Sequence, residues 1–224
     1  MRTHRPDFFE LILLRYLERH GQCLTFIQIG ANDGQRFDPI YEFVTSENFK
    51  FSGLVVEPVP RFYRALKQVY CDQPGIKAIN AAIHNDQSEA TLYVVGEAYE
   101  SKVPEWALGT ASFNRDHVIK PQVPEAYVEA IQVPCLSLSE LMRQESIEHI
   151  DLLQIDTEGY DAEIVRSINF DKVRPAMIHF EHGMGDGVMT QVEFDELIVL
   201  FNKNGYQVLP EKYDAVAFLP HAIG

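Results

Sequence analysis

The chain has 224 residues, 46% hydrophobic and 23% charged. That mix folds around one core without disulfides or a structural metal, and it excludes disordered, collagen-like and disulfide-scaffold chains. The net charge of −14 repels a phosphate backbone, so no nucleic-acid partner is expected.

Taken in chain order, the basic start Met1–Pro6 is followed by Phe8–Leu17, whose apolar residues recur at helical spacing around Glu10 and Arg15. The spacing predicts an amphipathic helix over 7–20, stopped at Gly21, that lies on the core or docks a second copy as a homodimer. The stretch lacks a small-residue cleavage site, so no signal peptide is expected there. No uninterrupted apolar run approaches the ~20 residues needed to cross a bilayer, so no membrane partner is expected. Cys23, Cys71 and Cys135 are scattered and form no Cys-x-x-Cys pair; they read as buried thiols of a reducing compartment, and the expected location is cytoplasmic.

Leu24–Ile29 reads as a buried strand ending at Gly30, Pro39–Val44 as a helical turn, and Phe51–Val56 as a second buried strand ending at Glu57-Pro58. Pro60–Tyr70 is a helix with its prolines at the start, where a missing N–H costs nothing. Ile76–Ile83 is a third strand, and Thr91–Val95 alternates as at a sheet edge. Residues 96–134 break the rhythm and hold the single tryptophan, Trp106. A stretch without periodicity of this length reads as a substrate lid or binding insertion, or as a variable surface excursion.

The rhythm resumes with a capping box, Ser137 to Glu140, that opens a helix through Gln144. Ile150–Ile155 is a strand, Asp161–Ile168 a helix, Ala176–Phe180 a strand and Val192–Asn202 a helix with Gly205 beyond its end. Tyr206–Leu209 and Ala215–Phe218 form a closing antiparallel pair. Alternating strands and helices, with several continuous apolar strands, predict an α/β fold: one domain over 1–224 with a mostly parallel sheet between helical layers.

Ligands of such sheets bind beyond the carboxyl ends of the strands. Those ends carry Gly30-Ala-Asn-Asp-Gly34, Glu57-Pro58, Asn80-Ala81-Ala82, Asp156-Thr157-Glu158 and Glu181-His182. Glycines let a ligand approach the backbone, and exposed amides can meet a carboxylate or phosphate. Glu57, about 20 residues beyond the turn, can accept hydrogen bonds from both ribose hydroxyls and would repel a 2′-phosphate. The turn lacks the third glycine that lets a helix hug a pyrophosphate. A nucleoside ligand without pyrophosphate fits better, and S-adenosyl-L-methionine is one.

Ile29-Gly-Ala-Asn-Asp-Gly34, Val56-Glu-Pro58, Asn80-Ala-Ala82 and Ile155-Asp-Thr-Glu-Gly-Tyr-Asp161 occur in one order at suitable spacings, and together they resemble the FkbM-type methyltransferases, a branch of the class I S-adenosylmethionine-dependent enzymes. The resemblance spans roughly residues 25–218. It implies a Rossmann-like three-layer sandwich with a seven-stranded sheet in the order 3-2-1-4-5-7-6, strand 7 antiparallel. It also implies methyl transfer, usually to oxygen, with Gly30, Asn32, Asp33, Gly34, Glu57, Ala81, Ala82 and Asp156 around the cofactor. Gln28 departs from the family's pattern, standing where many class I members carry an acidic residue.

A hydroxyl acceptor gains from losing its proton as it attacks, by a general base or by a metal. His182 is the expected base, with Asp156 and Glu158 orienting it or the substrate. A second arrangement has Asp156, Glu181 and His182 hold Mg2+ or a similar ion, although this spacing specifies no metal. His179 and Glu181 share a strand face, while His182 points oppositely, and His179 reads as a core histidine. Arg115 and His117 in the middle segment can reach the site; Trp106, Tyr127 and Tyr160 can line a substrate pocket or simply pack. The expected acceptor is a hydroxyl on a sugar or another small molecule. The alternatives are a protein side chain, a non-catalytic nucleotide-binding regulatory module, or an NAD-dependent oxidoreductase, against which the absent third glycine speaks.

Overall fold

The computed structural model describes residues 6–224; most of the basic start weighed above, residues 1–5, lies outside them. Helix α1 (Phe8–Arg19) opens with a capping box in which Asp7 accepts the Glu10 amide at 2.8 Å and Glu10 accepts the Asp7 amide at 3.2 Å. It buries Phe9, Leu13, Tyr16 and Leu17 and leaves Phe8, Leu11 and Leu14 exposed.

The chain continues through β1 (Cys23–Ile29), α2 (Tyr41–Val44), β2 (Lys50–Val56), α3 (Pro60–Val69), β3 (Ile76–Ile79), β4 (Ala82–Ile83) and β5 (Glu89–Val95). Next come α4 (Glu105–Gly109), β6 (Ala111–Ser112), α5 (Arg115–Val118), β7 (Val128–Leu136) and α6 (Leu138–Gln144). It closes with β8 (Leu152–Ile155), α7 (Asp161–Ser167), β9 (Met177–Glu181), α8 (Gln191–Lys203), β10 (Gln207–Pro210), β11 (Asp214–Phe218) and α9 (Pro220–Ile223).

The main sheet has seven strands in the order β3-β2-β1-β8-β9-β11-β10. All pairings are parallel except those of β11, which runs antiparallel to β9 and β10. This is the expected 3-2-1-4-5-7-6 order of a Rossmann-like methyltransferase fold. One large core packs residues of α1, α3, α6, α7, α8 and α9 against the sheet. The order reverses between β1 and β8, the place where sheets of this kind bind ligands beyond their carboxyl ends.

Four expectations need correction. Ile76–Ile83 is not one strand. After Ile79 the chain leaves the main sheet, because Asn80 turns inward and its amide donates to the carbonyls of Glu57 (2.8 Å) and Pro58 (3.0 Å). Ala82–Ile83 then joins a second, four-stranded sheet, β4-β7-β5-β6. Nor is the segment 96–134 without regular structure. Its last part enters β7, which pairs antiparallel with β5 from Val95↔Val128 to Glu89↔Pro134. β5 is therefore central in that sheet, not an edge. Finally, only Cys135 is a buried thiol; Cys23 and Cys71 are exposed.

Candidate active site

At the end of β1 the backbone turns through Gly30, at φ +79°, with the amides of Gly30 and Ala31 both bonded to the Val56 carbonyl (2.9 and 3.0 Å). A Cβ at residue 30 would lie 1.7 Å from the Asp156 carbonyl oxygen, so this glycine lets the ends of β1 and β8 close together. Asn32 follows at φ +50°, and its amide donates to Glu57 at 2.8 Å. The other Glu57 oxygen accepts the Val59 amide at 2.7 Å. Glu57 is buried, and burial pushes its carboxyl up to about 7 against the pull of the Val59 and Asn32 amides and the Arg61 charge.

These residues border a cleft of about 460 Å3, on the scale of a small-molecule site. Gly30, Asn32, Glu57, Ala81, Ala82, Asp156, Glu158 and Glu181 all line it. Pro58, Ala81, Ala82, Ile83, Leu92 and Phe113 make one wall apolar, while β8, β9 and β11 deliver carboxylates to the opposite end.

Three expected site residues do not line the cleft. Asp33 braces the turn instead: it accepts the amides of Gln35 and Arg36 and pairs with the Arg36 guanidinium. Gly34 is packed from behind, where a Cβ would meet Leu66 at 2.5 Å and the Tyr70 ring at 3.0 Å. His182 lies on the far side of its strand. Its Nε2 donates to the Glu211 carbonyl (3.2 Å), its Nδ1 accepts the Met184 amide (3.3 Å), and its ring packs on Phe194 at 4.9 Å. Both nitrogens are thus committed to the backbone, and His182 is not placed to act as base. The same geometry removes it from the metal arrangement with Asp156 and Glu181. Among the described residues no group of three or more His, Cys, Asp or Glu side chains is arranged to hold a metal ion.

The carboxylates that do face the cleft are crowded. Asp156 is open to the cleft, and the protein packed around it, then the charges of Glu158 and Glu181, raise it well above the carboxylate range. Burial, reinforced by Asp161, pushes Glu158 up to about 7, against the pull of Lys120 and the Thr110 hydroxyl. Burial and then Glu158, Asp161, Asp214 and Asp186 push Glu181 up to about 9.

Glu158 also sits at φ +53°, a conformation side chains adopt at a cost. Its carbonyl accepts hydrogen bonds from Ser112 Oγ (2.7 Å) and His117 Nδ1 (3.1 Å), both from the 96–134 segment. His117 therefore reaches the site as a brace, whereas Arg115 pairs with Glu125. Trp106 lines the cleft. Tyr160 stacks on His84 and Tyr127 on Tyr99; neither lines it. His179, stacked on Phe9 at 4.2 Å and lowered to about 4 by burial, is a neutral core histidine.

Sequence reasoning missed Asp38, Gln154, Lys120 and Asp214, all cleft residues. Asp214 left a usable signal: it opens a strand expected to run antiparallel, and the start of such a strand lies at the carboxyl edge of its neighbours. Asp161, the expected start of a helix, does more than open it: its carboxylate bonds the Thr157 amide and hydroxyl and accepts the Glu181 amide at 3.0 Å, tying the ends of β8 and β9 together.

The cleft suits a ligand rich in hydrogen-bond donors. Gln28 Oε1, Asn32 Oδ1 and Gln154 Oε1 are buried acceptors without a partner, and each belongs to a lining residue. The ribose hydroxyls and ammonium of S-adenosyl-L-methionine supply donors of that kind.

The methyltransferase FkbM domain model matches residues 28–208. No curated protein matches the chain. Similar solved structures include methyltransferase FkbM from Methylobacillus flagellatus KT, at 12% identity and a TM-score of 0.49, covering 88% of this chain and 44% of that one. Others are an O-methyltransferase from Bacillus cereus in complex with SAH (10% identity, TM-score 0.48, 96% and 83% covered) and the fibrillarin pre-rRNA processing protein of Methanococcus jannaschii (14%, 0.45, 88% and 67%).

Proposed function

We propose that this chain, which belongs to the FkbM methyltransferase family and uses S-adenosyl-L-methionine as methyl donor, delivers the methyl group to a hydroxyl on a sugar or other small-molecule acceptor. The observation that carries the cofactor half of this reading is Glu57, held by two backbone amides at the edge of the crevice above the Gly30 turn. Each of its oxygens keeps a lone pair for a ribose hydroxyl. The wall of Ala81, Ala82, Ile83 and Leu92 suits an adenine ring, and Gln28, Asn32 and Asp156 suit the amino-acid end. When bound, the donor supplies a methyl group made electrophilic by its sulfonium.

The chain's own contribution is alignment and proton removal. Glu158 is the proposed base. It lines the cleft, its carboxyl is tuned to about 7, and its backbone is clamped by Ser112 and His117. A group of that pKa takes a hydroxyl proton at neutral pH and returns it to water. Asp156 and Glu181 stand beside it to orient the acceptor. Trp106, Thr110 and Phe113 wall the cleft from the 96–134 segment, which supports a small acceptor over a side chain on a folded protein. The carboxylates at the strand ends favour catalysis over a purely regulatory nucleotide-binding role.

Calorimetry with S-adenosylmethionine, S-adenosylhomocysteine and NAD tests the cofactor site, and tight NAD binding without either sulfur ligand would reject it. Mass spectrometry of a small-molecule panel, reading a gain of one methyl in place of hydrogen with and without chelator, tests the acceptor class.

A further inference from the structure

The acceptor end of the cleft gathers more carboxyl groups than the methyl donor can pair, and those that crowding keeps protonated in the free protein ionise against a bound cation. Asp156, Glu158, Glu181, Asp186 and Asp214 line it, with Lys120 as the facing lysine; the other lining cation, Arg36, is paired with Asp33 and Glu105. Three of these carboxylates form a row. Asp214 and Glu181 are direct cross-strand partners on β11 and β9, and Asp156 follows Ile155, which pairs with Phe180, so it stands one step on in the same register beside Glu181. Neighbouring strands lie about 4.8 Å apart, and like charges directly opposite destabilise a sheet.

A second observation is independent of the charges. Gln154 is 2% exposed, and its Oε1 has no donor. It precedes Asp156 by two residues, so the pleat turns both side chains to one face, and both line the cleft. Glu181 Oε2 is likewise buried without a donor. The row therefore offers several acceptors converging on one space and asks for a group with several donors. An ammonium has three N–H donors and no acceptor; a hydroxyl brings lone pairs of its own, and a phosphate or carboxylate at neutral pH brings almost nothing else.

We propose that the methyl acceptor carries a protonated amine, seated between Glu181, Asp214 and the Gln154 amide oxygen, with its hydroxyl presented to Glu158. This names the acceptor class within the function proposed above and rests on that reading. The site excludes sugar phosphates and other anionic acceptors by the same charges.

The test uses the full chain saturated with S-adenosylhomocysteine, which carries no net charge and leaves the row uncompensated. A panel of small hydroxylated compounds in three matched classes is screened by ligand-observed NMR: amino alcohols and amino sugars, their neutral counterparts, and their phosphate counterparts. Amines should bind at millimolar concentration or better and at least about tenfold more tightly than either other class, a difference of about 1.4 kcal/mol. Glu181→Gln with Asp214→Asn should remove that preference while S-adenosylhomocysteine affinity holds; Asp214→Asn alone serves as the milder variant. Equal binding of neutral or anionic compounds, no amine binding, or an unchanged preference in the variants would overturn the proposal. So would a magnesium titration that stabilises the protein where amines do not. Failure of S-adenosylhomocysteine itself to bind would instead reject the cofactor reading on which the proposal rests.

Discussion

A buried carboxylate held by two amides makes ligand affinity depend on pH in a defined direction. Glu57 has a folded-state value of about 7, and ribose hydroxyls donate to its ionised form. Below that pH, binding must expel a proton, so S-adenosylhomocysteine affinity should fall as pH drops from 8 to 6, and Glu57→Gln should flatten the fall. Glu57→Ala should weaken binding by about 1–3 kcal/mol, read by calorimetry. At the neighbouring carboxylate, Glu158→Gln should cut turnover by roughly 10²–10⁴-fold with cofactor affinity preserved. His182→Ala should leave the chemistry and lower stability by about 1–3 kcal/mol, since it removes two buried backbone partners. The period-2 rule had already placed His182 opposite Glu181. That alternation turns His182 away from the cleft and leaves the crowded carboxylates facing it.

At the scale of strands and turns, charge is kept where packing alone would not keep it. The cross-strand pair Glu181–Asp214 weakens the sheet. Its cost grows with pH, because Glu181 is raised to about 9 when folded: the folded state holds a proton that the unfolded chain releases near 4.5. Glu181→Gln should therefore stabilise the free protein by roughly 0.2–1 kcal/mol, more at pH 9 than at pH 6, in denaturant titrations. Gly30→Ala should do the opposite, because its Cβ would strike the Asp156 carbonyl; loss of the folded state or of cofactor binding by proteolysis and calorimetry is the expected result. The parallel strands were readable because β1, β2, β8 and β9 are apolar runs ending in turn residues. β7 was not. Val128–Leu136 mixes exposed polar positions with Pro134, and its pairing with β5 is decided by a partner more than thirty residues away.

For the molecule as a whole, the cleft sets an unusual pH profile. Asp156, Glu158, Glu181 and Asp214 are all raised in the folded state, so each contributes a loss of stability as pH climbs from its ordinary value, 3.8 for the aspartates and 4.5 for the glutamates, to its folded value, with Glu181 extending the window to about 9. Scanning calorimetry of the free protein should show the melting temperature falling between pH 6 and 9, with the fall reduced by bound S-adenosylmethionine. The alternation of strands and helices was accessible from local spacing, and the sheet order came with the family resemblance that the strand-end motifs carry. The acceptor edge was accessible only in part, since it is assembled from four distant strand ends and from the second sheet.

The hydrogen bonds from Ser112 and His117 to the Glu158 carbonyl tie the 96–134 segment to the turn that carries the proposed base. Exchanging that region for one from a relative would alter which compound is accepted and how fast it turns over in a single stroke. Chimeras that break either contact should lose rate even toward compounds they still bind.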